Sequence, residues 1–292
     1  MLSLALGTVQ LGLDYGIANC QGKPSIQQAQ EIVDTAINQG IEWFDTAMLY
    51  GDAESVLGKC LEHHSGAKII TKVGSLAKLS KGELDRQLDQ SLESLQVDHL
   101  DGFMLHDAND IAQAPSHMLD FFFSLENDPR VNRVGLSVYT PEQARAAIDR
   151  YPIRVIQVPS NILNHQFLDA GLFAEFVEKD IISFTRSIFL QGLFFMSVDS
   201  EKVCSIPGAS EALSCVHDFC EEHDCSISEL VFCDAYNYEG SNILMGAENA
   251  HQITQNISSI SAAATKKHLA KLWKKVKPDV SNVTINPSLW GK

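Results

Sequence analysis

Four side chains able to move a proton sit at or just past the ends of three successive apolar runs. The run Ile41–Asp45 stops on a carboxylate, Asp45, and Tyr50 and Gly51 follow before a helical pattern begins near Asp52–Glu54. The run Lys68-Ile-Ile-Thr-Lys72 ends on an ammonium, Lys72, and Leu100-Asp-Gly-Phe-Met-Leu-His106 ends on an imidazole, His106. Polar groups handed over at the carboxyl ends of strands are how a barrel scaffold equips a site above it. Each has a bland reading: Asp45 a helix cap, Tyr50 a half-buried aromatic, Lys72 and His106 rim residues. Four such placements on three consecutive strand–helix units argue against the bland readings taken together.

The elements that must carry these groups alternate along the whole chain. Strands are predicted at Leu2–Thr8, Ile41–Asp45, Lys68–Lys72, Leu100–Leu105, Val131–Ser137, Ile153–Val158, Ile181–Thr185 and Asn242–Met245. Helical spacing follows each one. The first runs from a capping Ser25 through Asn38, and the third, Gly82–Leu95, lines up Leu84, Leu88, Leu92 and Leu95. Pro141 opens a helix at its first turn, and two helical stretches, about Ala209–Glu222 and Ile227–Tyr236, precede the last strand. The segment Gln10–Ser25 is expected to be loop. Eight strand–helix units select the α/β class with a single (β/α)8 TIM barrel over a doubly wound sheet, with extra helices in the C-terminal part. No G-x-G-x-x-G follows the first strand, which counts against a Rossmann domain. The expected organisation is one barrel domain over 1–292, with 262–292 as a C-terminal helix and tail.

With these motifs in place, the chain resembles the aldo-keto reductases. The resemblance rests on DTAMLYG around Asp45 and Tyr50, ITKVG around Lys72, LHD around His106, and Glu54, Leu57 and Gly58 after the tyrosine; it runs from Gly7 to about Asn256. It implies an NAD(P)-dependent oxidoreductase that reduces an aldehyde or ketone to an alcohol, with Asp45, Tyr50, Lys72 and His106 as catalytic residues. In that scheme Tyr50 is the general acid. Since a free phenol titrates near about 10, Lys72 is expected to lower its pKa, Asp45 to keep Lys72 charged, and His106 to orient the substrate oxygen.

The resemblance also places a cofactor site. Gly7, Thr8 and Asp45 lie at the first two strand ends, and Ser137 and Gln157 fall where the family binds the nicotinamide carboxamide. Two positions depart from the family pattern there: Val138 stands for the usual Asn, and Ser160 for a common Tyr. FTRSIFLQGLF resembles the pyrophosphate loop, with Arg186 neutralising phosphate and Ser187, Leu190 and Gly192 letting backbone approach. MGAENAHQITQN resembles the adenosine-end segment, bringing Gly246, Glu248, Gln252, Gln255 and Asn256. That segment holds no Lys or Arg and does hold Glu248, which repels a 2′-phosphate and can accept from a ribose diol. A relaxed cofactor choice is therefore expected, NADP(H) as the resemblance implies with NAD(H) possible; Glu248 pointing to solvent is the bland alternative.

Composition removes several function classes. With 37 Asp and Glu against 22 Lys and Arg, the net charge of −15 argues against a phosphate-binding nucleic-acid surface. The start, MLSLALGTVQLGLDYG, lacks a basic n-region, and no run is long and apolar enough to span a bilayer, so a cytoplasmic protein without membrane partners is expected. Seven cysteines form no even framework, and Cys215, Cys220 and Cys225 lack metal-ligand spacing, so no metal is expected and the thiols read as reduced and structural. The lysine-rich stretch 262–277, with Leu269, Leu272, Trp273 and Val276 on one stripe, could seek a membrane or partner. The favoured reading packs that stripe on the barrel, and residues 286–292 are expected to be ordered only where they touch a neighbour. A small-molecule carbonyl is the expected partner, with Tyr15, Met48, Leu49, Asn109 and His165 as pocket candidates; GTVQLGLDYGIAN hints at a sugar-derived substrate. The alternative function is a cofactor-binding regulatory protein on the same fold. A lyase or isomerase is disfavoured because no metal-ligand cluster occurs at the strand ends.

Overall fold

The structure, a computed structural model, describes residues 2–290. Eight parallel strands close into a barrel in sequence order: β1 (Ser3–Gly7), β2 (Trp43–Asp45), β3 (Lys68–Val73), β4 (Gly102–Leu105), β5 (Val134–Ser137), β6 (Val155–Pro159), β7 (Ile182–Arg186) and β8 (Asn242–Gly246). Closure is made by β1 on β8, in register from Ser3 opposite Asn242 to Gly7 opposite Gly246.

Side chains alternate in and out along each strand. Leu6, Phe44, Ile69, Phe103, Leu136 and Ile156 belong to the large core between strands and helices. A separate cluster of Ala5, Ile70, Met104, Val155, Phe184 and Leu244, with Trp43 against it, plugs the barrel interior. Two residues beyond these interior positions stand Gly7, Lys72, His106, Gln157, Arg186, Gly246 and Asp45, and Ser137 is likewise two beyond Gly135. The next layer towards the carboxyl ends is therefore polar on every strand that is not glycine. Period two turns a run of apolar residues into a floor, and the following inward position into a site.

Helices cover the outside where the apolar spacing places them. Ser25 caps the Ile26–Asn38 helix through a full capping box with Gln28, and Ser80 caps Lys81–Leu95 through Glu83. Glu54 accepts from Thr71 Oγ1 at 2.5 Å and Ser91 Oγ at 2.7 Å, tying the Ala53–Leu61 helix to β3 and to the next helix.

The strand expectations hold, with the starts at Lys68 and Asn242 as expected and the other starts trimmed by one to three residues. Leu100 and Val131 form only an isolated bridge, and pairing with β5 resumes at Phe103 opposite Val134. The 10–25 segment is not all loop: Val9–Gly12 is one helical turn. Two helices do precede β8, Ala209–Glu222 and Ile227–Ala235. The Ala250–Ala263 helix then turns into His268–Val276, which packs on the barrel: Leu269 and Trp273 are buried, and Trp273 Nε1 donates to the Ile162 carbonyl at 2.7 Å. Leu272 and Val276, assigned to the same stripe, are exposed. Beyond it, Thr284 Oγ1 donates to the Pro207 carbonyl at 2.7 Å and Trp290 Nε1 to Val283 O at 2.8 Å; residues 291–292 of the expected tail lie outside the described residues.

Candidate active site

Lys72 is fully buried at the end of β3, and its ammonium lies 2.6 Å from Asp45 Oδ1 and 2.9 Å from the Thr46 carbonyl. Burial pulls the Lys72 pKa down and the Asp45 carboxylate opposes it. A third group completes the pair: Gln157 Nε2, from β6 across the barrel, donates to the same Asp45 oxygen at 2.8 Å. The ammonium sits over the Tyr50 ring, 5.1 Å from its centroid, and the His106 ring meets Tyr50 edge-on at 5.6 Å and 87°. The four residues singled out as catalytic are thus brought to one place.

Their electrostatics differ from expectation at the tyrosine. Burial first, then the Asp45 carboxylate, pushes the Tyr50 phenol up, and the opposing cation is Arg186 rather than Lys72. Lys72 faces the ring and is engaged by Asp45 and Thr46, so its charge is spent there and not at the hydroxyl. Tyr50 is therefore held protonated, which suits a proton donor. His106 is settled too: burial, with Lys72 and Arg186 beside it, lowers its pKa to about 4, so the imidazole is neutral near pH 7. Its Nδ1 is buried without a hydrogen bond among the described residues.

Arg186 ends β7. Its guanidinium donates to Ser137 Oγ at 3.3 Å, the Val138 carbonyl at 3.2 Å and Ser187 Oγ at 3.4 Å, and stacks 4.4 Å from the centre of Tyr139. All these partners are neutral. Among the described residues it has no carboxylate in contact, in a chain with 37 of them. A half-buried cation with only long, neutral acceptors is suited to an anion arriving from outside. The loop that follows has unusual backbone: Ser187, Leu190, Gln191 and Gly192 have φ of 64°, 45°, 57° and 86°. Non-glycine residues in this region cost free energy, and such clusters mark sites that need a special backbone shape. The side chain of Leu190 is buried, so this residue could offer only backbone. A strap from the β1 loop crosses it: Ala18 N donates to the Gln191 carbonyl at 3.4 Å and Gln191 Nε2 to Tyr15 Oη at 2.9 Å.

At the barrel seam Gly7 pairs with Gly246, and a side chain at Gly246 would collide with Gln10, whose Oε1 is buried without a partner among the described residues. Glu248 is half-buried, its carboxyl raised by burial; its amide donates to Gln252 Oε1 at 2.8 Å, and Asn249 caps the Ala250–Ala263 helix. Gln252 and Asn256 are half-buried one turn apart, whereas Gln255 is exposed.

Some expected contacts are already committed elsewhere. The Thr8 hydroxyl donates to the Asp45 carbonyl at 3.0 Å, so it ties the first two strand ends rather than facing a ligand. His165 is committed elsewhere: it is buried against Asp234 at 3.0 Å, with the Tyr238 hydroxyl on the same carboxylate. Tyr15 and Met48 are half-buried near the mouth, and Leu49 and Asn109 are exposed. Gln10, Tyr139 and Gly12 were not singled out from the sequence. A Cβ on Gly12 would lie 1.8 Å from the Tyr50 carbonyl, so this glycine lets the β1 loop press on the loop that holds the tyrosine.

A model of the Aldo/keto reductase family matches residues 3–277. The chain belongs to this family. Among aldo-keto reductases and their relatives it is similar to L-galactose dehydrogenase of Arabidopsis thaliana, 23% identical over 255 residues that cover 82% of this chain and 80% of that one. The 6-dehydroglucose reductase of Novosphingobium aromaticivorans is 30% identical over 134 residues, 40% of this chain and 44% of that one. In structure it resembles the holo form of an aldo-keto reductase from Bacillus halodurans, with a TM-score of 0.75 at 20% identity over 97% of this chain and 95% of that one. A glycerol dehydrogenase from Gluconobacter oxydans gives 0.74 at 18% identity, over 96% and 93%. At these identities the structural likeness speaks for the fold. No described helix is long and apolar enough to cross a membrane.

Proposed function

We propose that this oxidoreductase reduces an aldehyde or ketone to an alcohol with a nicotinamide cofactor, Tyr50 giving the proton. The observation that carries this reading is the buried Asp45–Lys72 pair under a protonated Tyr50, with a neutral His106 beside it. A reduced nicotinamide supplies the hydride when bound. The residues present fit such a group: among the described residues Arg186 lacks a carboxylate partner, Gly246 lies beside an unpartnered Gln10 oxygen, and 187–192 presents backbone. Arg186, Ser187, Leu190 and Gly192 would hold the pyrophosphate, Ser137 and Gln157 the nicotinamide end, and Gly246, Glu248, Gln252, Gln255 and Asn256 the adenosine end.

In this scheme His106 shares a hydrogen bond with the carbonyl oxygen and fixes its direction. Tyr50 Oη–H then protonates that oxygen as negative charge develops on it, and the phenolate left behind is stabilised by Arg186, with the Lys72 ammonium under its ring. Asp45 and Gln157 hold Lys72 in place. Glu248, with no cation in 244–256, supports acceptance of NADH alongside NADPH. Relatives named for sugars and polyols make a sugar-derived carbonyl the substrate class to test first.

The test is a fluorescence titration with NADPH and NADH, then turnover with a panel of sugar-derived and simple aldehydes and ketones, for wild type and Tyr50→Phe. The variant should bind either nucleotide with wild-type affinity and lose about 10²–10⁴-fold in kcat. Comparable affinity for the two nucleotides supports the Glu248 reading, and a large NADPH preference ends it. Wild-type turnover by Tyr50→Phe would remove Tyr50 from the mechanism. Nucleotide binding without turnover of any carbonyl would favour a cofactor-sensing protein.

A further inference from the structure

The Ala209–Glu222 helix ends in a turn whose residue Asp224 is left-handed, with φ 46°. The Cys225 amide donates to the Cys220 carbonyl at 3.0 Å and the Asp224 amide to the Glu221 carbonyl at 3.4 Å. This is a Schellman closure, in which the side chains flanking the long bond meet on one side of the turn. In most helices that contact joins two apolar groups. Here both are cysteines, five residues apart and reduced.

Their surroundings make the two thiols unlike. Cys220 is 7% exposed and Cys225 is half-buried at the rim. Each thiol acts on the other's ionisation: the neighbouring Cys220, helped by the Lys266 ammonium, pulls the Cys225 pKa down, and the neighbouring Cys225, with burial, pushes that of Cys220 up. Lys266 is fixed in position by the Asp224 carbonyl at 2.9 Å and Glu229 Oε2 at 3.3 Å. Both cysteines line an open cleft of about 520 Å³, together with Glu221, Asp224, Glu229 and Lys266, and none of its residues belongs to the strand-end layer. A small polar oxidant can reach the sulfurs there.

We propose that Cys225 and Cys220 form a reversible oxidation site for hydrogen peroxide, Cys225 attacking and Cys220 resolving. In the first step the Cys225 thiolate attacks a peroxide oxygen, the O–O bond breaks and the departing oxygen leaves as hydroxide, which is protonated to water. Cys225 sulfur has lost two electrons and is a sulfenic acid. Cys220 sulfur then attacks Cys225 sulfur, the S–O bond breaks, and hydroxide leaves with the Cys220 proton as a second water. Two thiols and one peroxide thus give one disulfide and two waters, and an external thiol reverses the change by exchange.

The full-length protein, treated with a few equivalents of hydrogen peroxide, tests this by thiol counting and peptide mass mapping. Two of the seven thiols should be lost, a 220–225 cross-link should show the mass loss of two hydrogens, and dithiothreitol should restore both. Cys220→Ser should accumulate a sulfenic acid on Cys225 that dimedone traps, and Cys225→Ser should form no cross-link. The proposal is overturned if peroxide consumes exposed Cys20, Cys204 or Cys215 while Cys220 and Cys225 both remain alkylatable. It is equally overturned if Cys225 passes to sulfinic acid in wild type without cross-linking. Wild-type mapping needs no variant to fold, and the result is independent of the carbonyl-reductase reading.

Discussion

His106 shows how much a single residue's surroundings decide. A free imidazole titrates near 6.5, and here the folded value is about 4 because burial strips water from a charged ring and because Lys72 and Arg186 lie beside it. Between those two values the unfolded chain binds the proton and the folded chain does not, so stability must rise with pH across that window. The contribution is complete above about pH 6.5 and is lost as pH falls towards 4. After discounting for partial exposure it is on the order of 2 kcal/mol. His106→Gln should therefore flatten the dependence: the stability gap between wild type and variant, from urea unfolding, should be larger at pH 7 than at pH 4.5 in the direction favouring wild type. A gap equal at both pH values would mean that His106 is open to water and free to charge. The same neutrality means that an acid limb in the pH–rate profile above pH 5 belongs to another group.

Elements position these residues by two rules, one readable in sequence and one not. The readable rule is period two: each apolar strand ends on the residue that faces the mouth, which is why Asp45, Lys72 and His106 are legible as strand-end groups, whereas Ser137, Gln157 and Arg186 are reached through the family resemblance. The contact of Gln157 with Asp45, separated by 112 positions, depends on how the closed barrel tilts its strands, and no local pattern carries that. The Schellman pairing of Cys220 with Cys225 escaped for a related reason, since five-residue spacing faces different ways on a helix and meets only when the helix stops between. Loop-on-loop packing is equally silent. Gly12 looks like any glycine in a loop, yet its missing Cβ is what allows the Val9–Gly12 turn to sit on the Tyr50 carbonyl. Gly12→Ala should force these loops apart, costing roughly 1–3 kcal/mol in stability and at least tenfold in kcat while nucleotide affinity changes little. Thermal melts with single-turnover kinetics check it, and wild-type kcat in a folded Gly12→Ala protein would mean that Tyr50 is not held by this contact.

On the scale of the molecule, the C-terminal helix is connected to the mouth by a chain of contacts rather than lying idle on the surface. Trp273 is fully buried against Phe219 and donates to the carbonyl of Ile162, a buried residue of the loop after β6. Next to it Asn161 Nδ2 donates to the Ser187 carbonyl at 3.3 Å, in the loop assigned to the cofactor phosphates. Packing and two hydrogen bonds therefore run from the last long helix to the site. Trp273→Phe keeps most of the apolar volume and removes the N–H, leaving a buried carbonyl unpaired, which costs about 1–3 kcal/mol. The expected result is a lower urea midpoint together with weaker nucleotide binding. Lys274→Ala on the same helix severs only an ion pair to Asp169 that is half exposed on both sides, and should change stability by no more than about 0.5 kcal/mol. If Trp273→Phe destabilises the fold but binds nucleotide as wild type does, the helix contributes packing alone and the Ile162–Asn161–Ser187 path transmits nothing.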